Sequence, residues 1–220
     1  MIQDIVKQLE PLPHKSKLII FGGGYSGQKI ASVARGLGVK VLCSRRNKGS
    51  KGADFMFNSN KKFSDEIFEG VTHVLSCIPP LSNGKDPVLK SLKVQLLNSK
   101  NLKWVGYLST TGVYGDAKGA WVNENTSPNP QQERSIRRFS CEKEWLETKL
   151  PIQILRLPGI YGPNRSVFEN LFNGTAKLID KPGQVFSRIH VDDIAGAVLF
   201  LINLYAQGKN PSVVNIADNL

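Results

Sequence analysis

The residues best placed to do chemistry come early in the chain. Gly22, Gly24 and Gly27 stand in GGGYSG, directly after the apolar run KLIIF and before a helical pattern. Glycines at this spacing let the chain turn tightly, bring backbone N–H groups against a phosphate, and let helix pack on strand. With Tyr25 and Ser26 they would open a helix whose free amides and dipole favour an anion. The next apolar run, VKVLCS, ends at Ser44, Arg45 and Arg46. No carboxylate stands there to accept hydrogen bonds from the ribose hydroxyls of NAD, whereas the planar fork of arginine matches a phosphate. Together the two signals predict a dinucleotide site that prefers NADP to NAD.

Such a loop needs a sheet behind it, and the chain supplies one. Strand-like runs recur as KLIIF, VKVLCS, VTHVLSC, KWVGYLS, IQILRL and SVVNIA. Helical patterns over 26–37, 87–98, 134–148 and 192–205 separate them. Alternation of this kind predicts a doubly wound parallel α/β sheet of Rossmann type, and the unbroken apolar runs suit strands buried on both faces. Residues 17–220 are expected to form this domain, with a small substrate portion drawn mainly from 158–190. Ile2, Ile5, Val6 and Leu9 repeat at helical spacing, which predicts a helical extension over 1–16. The longest stretch without periodicity, 116–132, follows a strand end, where ligands of open parallel sheets bind.

Composition narrows the partners. Lys and Arg number 29 against 18 Asp and Glu, a net charge of +11. The basic residues are dispersed, and no aromatic residues interleave with them as stacking platforms. The excess therefore suits a phosphorylated small molecule better than specific nucleic-acid binding. Cys43, Cys77 and Cys141 are far apart, with no C-x-x-C pair. That predicts reduced thiols in a cytoplasmic protein and no zinc site. The first residues lack an apolar core long enough for a signal peptide or membrane span, so no membrane association is expected.

Three later blocks are more specific than the glycines: LSTTGVYGD, LRLPGIYGPNR and RIHVDDIAGAV. In that order and spacing they resemble the nucleoside-diphosphate-sugar epimerase/dehydratase family, the extended and atypical short-chain dehydrogenases. The resemblance implies that Thr110, four residues before Tyr114, hydrogen-bonds the reacting oxygen. It implies that Asn58 contacts the adenine and that Cys77, Ile78 and Pro79 line the cofactor. Arg165 and Arg188 would meet substrate phosphate.

The resemblance breaks at the family's Tyr-x-x-x-Lys, where tyrosine moves the proton and lysine lowers its pKa. Counting back from CEKEW places Arg134 and Arg138 there, and no tyrosine lies between Val122 and Leu157. Arginine stays protonated, so Arg134 cannot be the general base; the pair would bind anionic substrate or cofactor phosphate instead. Tyr114 could substitute as the acid with Arg134 or Arg138 as its cation, although its place in a Y-G turn, like that of Tyr161, suits structure. The family's asparagine before YGP is Gly159, and relatives continue beyond NIADNL, so either the chain is cut short or the substrate pocket is reduced. Two functions remain open: an NADP-dependent oxidoreductase or epimerase on a nucleotide-linked or phosphorylated substrate, and an NADP(H)-binding sensor or regulator without turnover.

Other charged groups have plainer readings. Asp192 is expected to cap a helix beginning at Asp193, beside a buried structural His190, with no metal. Glu142 and Glu144 are expected on a solvated helix face with Arg137, Arg138 and Lys143.

Overall fold

The computed structural model describes residues 12, 15–47, 52–61, 63–178, 180, 182–183 and 185–218. The expected helix at the start of the chain lies outside these residues. Strand β1 (Lys17–Phe21) is buried at every position and passes through the glycine loop into helix α1 (Tyr25–Gly36). Strands β2 (Lys40–Arg45), β3 (Phe55–Met56) and β4 (His73–Ser76) follow. Helix α2 (Pro87–Asn98) then leads to β5 (Trp104–Thr110). Helix α3 (Glu133–Leu146) leads to β6 (Ile152–Leu157). Strand β7 (Gly159–Tyr161), helix α4 (Val167–Phe172), strand β8 (Arg188–His190), helix α5 (Val191–Ala206) and strand β9 (Val213–Asn215) complete the order.

Seven strands form one parallel sheet in the order β3-β2-β1-β4-β5-β6-β9. The order reverses at β1, between β2 and β4. That is the switch point where a crevice opens beyond the strand ends. Each face has its own core. On one, Leu18, Ile20 and Val41 pack with Ile30 and Ala34 of α1 and Ile194 and Val198 of α5. On the other, Ile19, Phe21 and Val74 pack with Leu92 and Leu96 of α2 and Trp145 of α3. Two-sided burial is why the strands read as continuous apolar runs.

Strands β7 and β8 pair in parallel with each other, apart from the main sheet, and the sequence patterns did not anticipate them. They are too short to show a period. The cap of α5 also differs from expectation: the helix begins at Val191, and the Nδ1 of His190, half-buried, accepts from the Asp192 amide at 3.3 Å. Asp192 instead pairs with Lys29 of α1 at 2.8 Å.

Candidate nucleotide-binding site

Gly22 has φ +98°, in the left-handed region that a side chain disfavours. A Cβ there would also come within 3.0 Å of Ile78 Cγ1. A Cβ on Gly27 would collide with the Gly22 carbonyl, so helix and turn meet at backbone distance. A Cβ on Gly24 would meet no atom within 4 Å. The three glycines thus divide the work: two let the chain pack on itself, and one borders open space.

The amides around this turn follow the same division. Gly22 N donates to Ser44 Oγ at 3.0 Å, and Gly23 N donates to Ser44 O at 2.7 Å. Ser44 is buried, and its side chain braces the loop. Helix α1 has no side-chain cap and no acidic residue in its first turn. The amides of Tyr25, Ser26 and Gly27 have no acceptor among the described residues. Helix α2, by contrast, gives its first amides to Asp86 Oδ1 at 2.8 and 2.9 Å. An uncapped N-terminus beside open space fits a phosphate. These residues therefore fit the diphosphate of a dinucleotide.

A cleft of about 220 Å³ joins Gly22, Gly24, Tyr25, Ser26 and Gly27 to Cys77, Ser109, Arg138, Ile160 and Arg165. A larger hollow of about 480 Å³ lies beside α2, but it is lined by Asp65 and Glu69 and lacks any cation or glycine turn. It is a poor place for a phosphate.

Arg138 explains how the floor of the cleft is built. Its Nη1 donates to Leu108 O at 3.0 Å, Ile78 O at 3.2 Å and Tyr107 Oη at 3.2 Å. One guanidinium therefore ties the ends of β4 and β5 together while its cation faces the cleft. Burial pushes the Tyr107 phenol well above its usual pKa, against the pull of Arg138, so this tyrosine is no proton shuttle at neutral pH. Arg134, one turn earlier, is exposed and bonds Gln132 Oε1 at 3.1 Å.

Thr110 ends β5 one residue after Ser109, which lines the cleft, and its Oγ1 accepts from Gly112 N at 3.1 Å. That contact uses a lone pair and leaves the hydroxyl proton free to donate. Tyr114 is buried; its hydroxyl donates to Asn215 Oδ1 at 2.9 Å, and Arg156 lies over its ring at 4.8 Å. None of Thr110, Tyr114 and Arg134 lines the cleft. Asn58 is exposed and accepts from Asn60 N, Pro79 is exposed, and Arg188 is exposed over the ring of Phe186. Arg46 is exposed, while the Nε of Arg45 is buried without a hydrogen-bond partner among the described residues. Burial, with Cys43 nearby, pushes the Cys77 thiol far up; Cys43 itself is held at about 11. Neither supplies a thiolate at neutral pH.

One expectation is overturned here. Glu142 is not solvated: it is 1% exposed, accepts the Ser109 hydroxyl proton, and is gripped by Arg156 Nη2 at 2.7 Å and Nε at 3.2 Å. The sequence carries a signal for this pair. Arg156 interrupts the apolar strand IQILRL, and a charge in a strand buried on both faces needs a partner. Glu142, four residues after Arg138, points from the same face of α3.

A profile for the NAD dependent epimerase/dehydratase family matches residues 57–217. No curated protein sequence matches the chain. Among solved structures, a functionally unknown conserved protein from Silicibacter pomeroyi is 38% identical, with TM-score 0.81 over 93% of this chain and 73% of that one. The UDP-N-acetylglucosamine 4-epimerase of Bacillus cereus is 20% identical, with TM-score 0.72 over 93% and 76%. The dTDP-glucose 4,6-dehydratase of Bacillus anthracis, solved with NAD, is 18% identical, with TM-score 0.73 over the same shares. These last two share the fold.

Proposed function

Because the chain belongs to the NAD-dependent epimerase/dehydratase family, we propose that it binds NADP(H) in the cleft at the glycine loop and acts on a nucleotide-linked sugar or another phosphorylated small molecule. The observation that carries the cofactor reading is the uncapped start of α1, with Gly24 bordering open space. Preference for the 2′-phosphate rests on Arg45 and Arg46 at the end of β2. Ser44 is committed to the loop, and Arg45, half-buried at the strand end, has no side-chain hydrogen bond among the described residues. The terminal nitrogens of its guanidinium fork would meet the phosphate.

The nicotinamide would supply hydride transfer when bound. The chain's own part is orientation: Thr110, its lone pair occupied by Gly112 N, donates its proton to the reacting oxygen. An arginine does not act as a general base, but the Arg138 cation lining the cleft stabilises negative charge there. A sensor without turnover is the second reading, favoured by one observation: the cleft is lined by Arg138 and holds no lysine among its described lining residues, while Arg134 is exposed outside it. Both readings predict tight NADPH binding, and only the first predicts hydride transfer. Titration with NADPH and NADH, followed by single-turnover absorbance with nucleotide sugars, tests them. Equal affinity for the two cofactors would overturn the NADP preference. Absence of any hydride transfer by a protein saturated with NADPH would give the sensor reading the site.

A further inference from the structure

The turn after β7 carries a cation that the cofactor reading leaves unused. Gly162 and Arg165 exchange backbone hydrogen bonds of 3.1 and 3.0 Å, closing a four-residue turn. Tyr25 Oη donates to Pro163 O at 2.9 Å and holds this turn against the first residue of α1. Packing there is tight, since a Cβ on Gly162 would come within 2.7 Å of Tyr25 Oη. The Arg165 guanidinium lies over the Tyr25 ring at 5.5 Å, lines the cleft, and has no hydrogen-bond or carboxylate partner among the described residues.

We propose that Arg165 holds the diphosphate of the bound dinucleotide from the side of the cleft opposite the amides of α1, with Tyr25 as its platform. The inference rests on the cofactor reading above and moves Arg165 from substrate to cofactor. Its warrant is charge and position. The open amides of Tyr25, Ser26 and Gly27 and the unpaired guanidinium flank one cleft, and the nearby carboxylate of Asp192 is already paired with Lys29. Two positive features with no carboxylate in the cleft lining among the described residues call for a ligand with charge on more than one oxygen. A diphosphate meets that need, and the fork of arginine can grip it through two hydrogen bonds. Stacking on Tyr25 removes much of the side chain's freedom beforehand, so little ordering remains to be done on binding.

The test is equilibrium binding of NADPH, ADP-ribose and AMP to the full chain. Arg165→Ala should weaken NADPH and ADP-ribose by about ten- to hundredfold, the loss typical of a charge-assisted contact, and AMP by less than about threefold. Arg165→Lys should recover part of the loss. Tyr25→Phe, which keeps the ring but frees Pro163, should cost less than Arg165→Ala. Because Arg165 is exposed, its removal should leave thermal unfolding unchanged. Unchanged ADP-ribose affinity in Arg165→Ala overturns the proposal. So does an equal loss for AMP, or a loss confined to UDP-glucose added to the NADPH-saturated protein, which would return Arg165 to the substrate. A wild-type chain that binds neither NADPH nor NADH would refute the cofactor reading itself, and this proposal with it.

Discussion

The two sides of the cleft are built to different densities. On the nucleotide side, β1 and β4 are buried at every position, and Phe21 contacts Phe55, Phe57, Phe63 and Phe68 at ring distances of 4.9 to 6.4 Å. Across the cleft, α4 has no buried residue; Phe172 is 93% exposed, and Leu178 beyond it 98%. Packing to interior density fixes side chains and backbone together, whereas exposed apolar groups contribute contact surface without fixing anything. The nucleotide side can therefore hold amides and glycines in place before a ligand arrives. The segment carrying α4 meets it at the turn over Tyr25, where the Tyr25 hydroxyl reaches Pro163 O at 2.9 Å, whereas α5 and β9, later in the chain, belong to the packed core and the main sheet.

Mutations should separate the two sides sharply. The largest effect is expected at Glu142→Ala, which strands the buried Arg156 and should destabilise the fold by about 3–5 kcal/mol, read by denaturant unfolding. A loss below about 1 kcal/mol would mean that water reaches this pair and that the packed side is looser than described. Next, Gly24→Val should fold normally, because a Cβ there meets no protein atom within 4 Å, yet weaken NADPH by more than about a hundredfold, because the side chain fills the diphosphate's place. A folded variant binding as wild type would remove the cofactor from this turn.

Arg45→Ala should cost about ten- to hundredfold for NADPH and little for NADH, measured by titration. Loss of both cofactors equally would assign Arg45 to the fold.

A subtler effect probes the packed side through pH. Burial raises the Asp86 carboxyl from 3.8 to about 6, although the amides of α2 and the indole of Trp145 oppose the shift. A raised carboxyl contributes stability in its protonated form, fully below pH 3.8 and lost as pH rises through 6. Burial lowers His73 to about 4 from 6.5, so its contribution runs the other way, present above 6.5 and lost as pH falls through 4. Asp86→Asn keeps an oxygen for the two amides and removes one of these slopes. Relative to wild type it should gain about 1–3 kcal/mol between pH 4 and 7.5 in urea titrations. A difference independent of pH would show that Asp86 is ionised throughout. The smallest effect belongs to the open side: Phe172→Ser should shift unfolding by less than about 0.5 kcal/mol. A larger loss would show that the lobe is packed after all.

Local spacing determined a good share of this protein. The glycine loop, the alternation of strand and helix, and the i, i+4 spacing of Arg134 and Arg138 are all readable in residues close together in the chain. Their physical causes act within a turn or two: φ above zero, a period of 3.6, a proton that arginine does not release. Tertiary structure decided what depends on residues brought from afar. Glu142 is buried because Ser109 and Arg156 arrive from two strands, 33 and 14 residues away. Tyr114 finds Asn215 across 101 residues, and Tyr25 finds Pro163 across 138. His190 caps α5 although Asp192 was the expected cap, because the helix begins at Val191 and carries Asp192 in its first turn, where the carboxylate meets Lys29 of α1. A charge in a sequence shows only that a partner is required. Which residue answers, and whether water is kept out, is settled when distant strands and helices close around it.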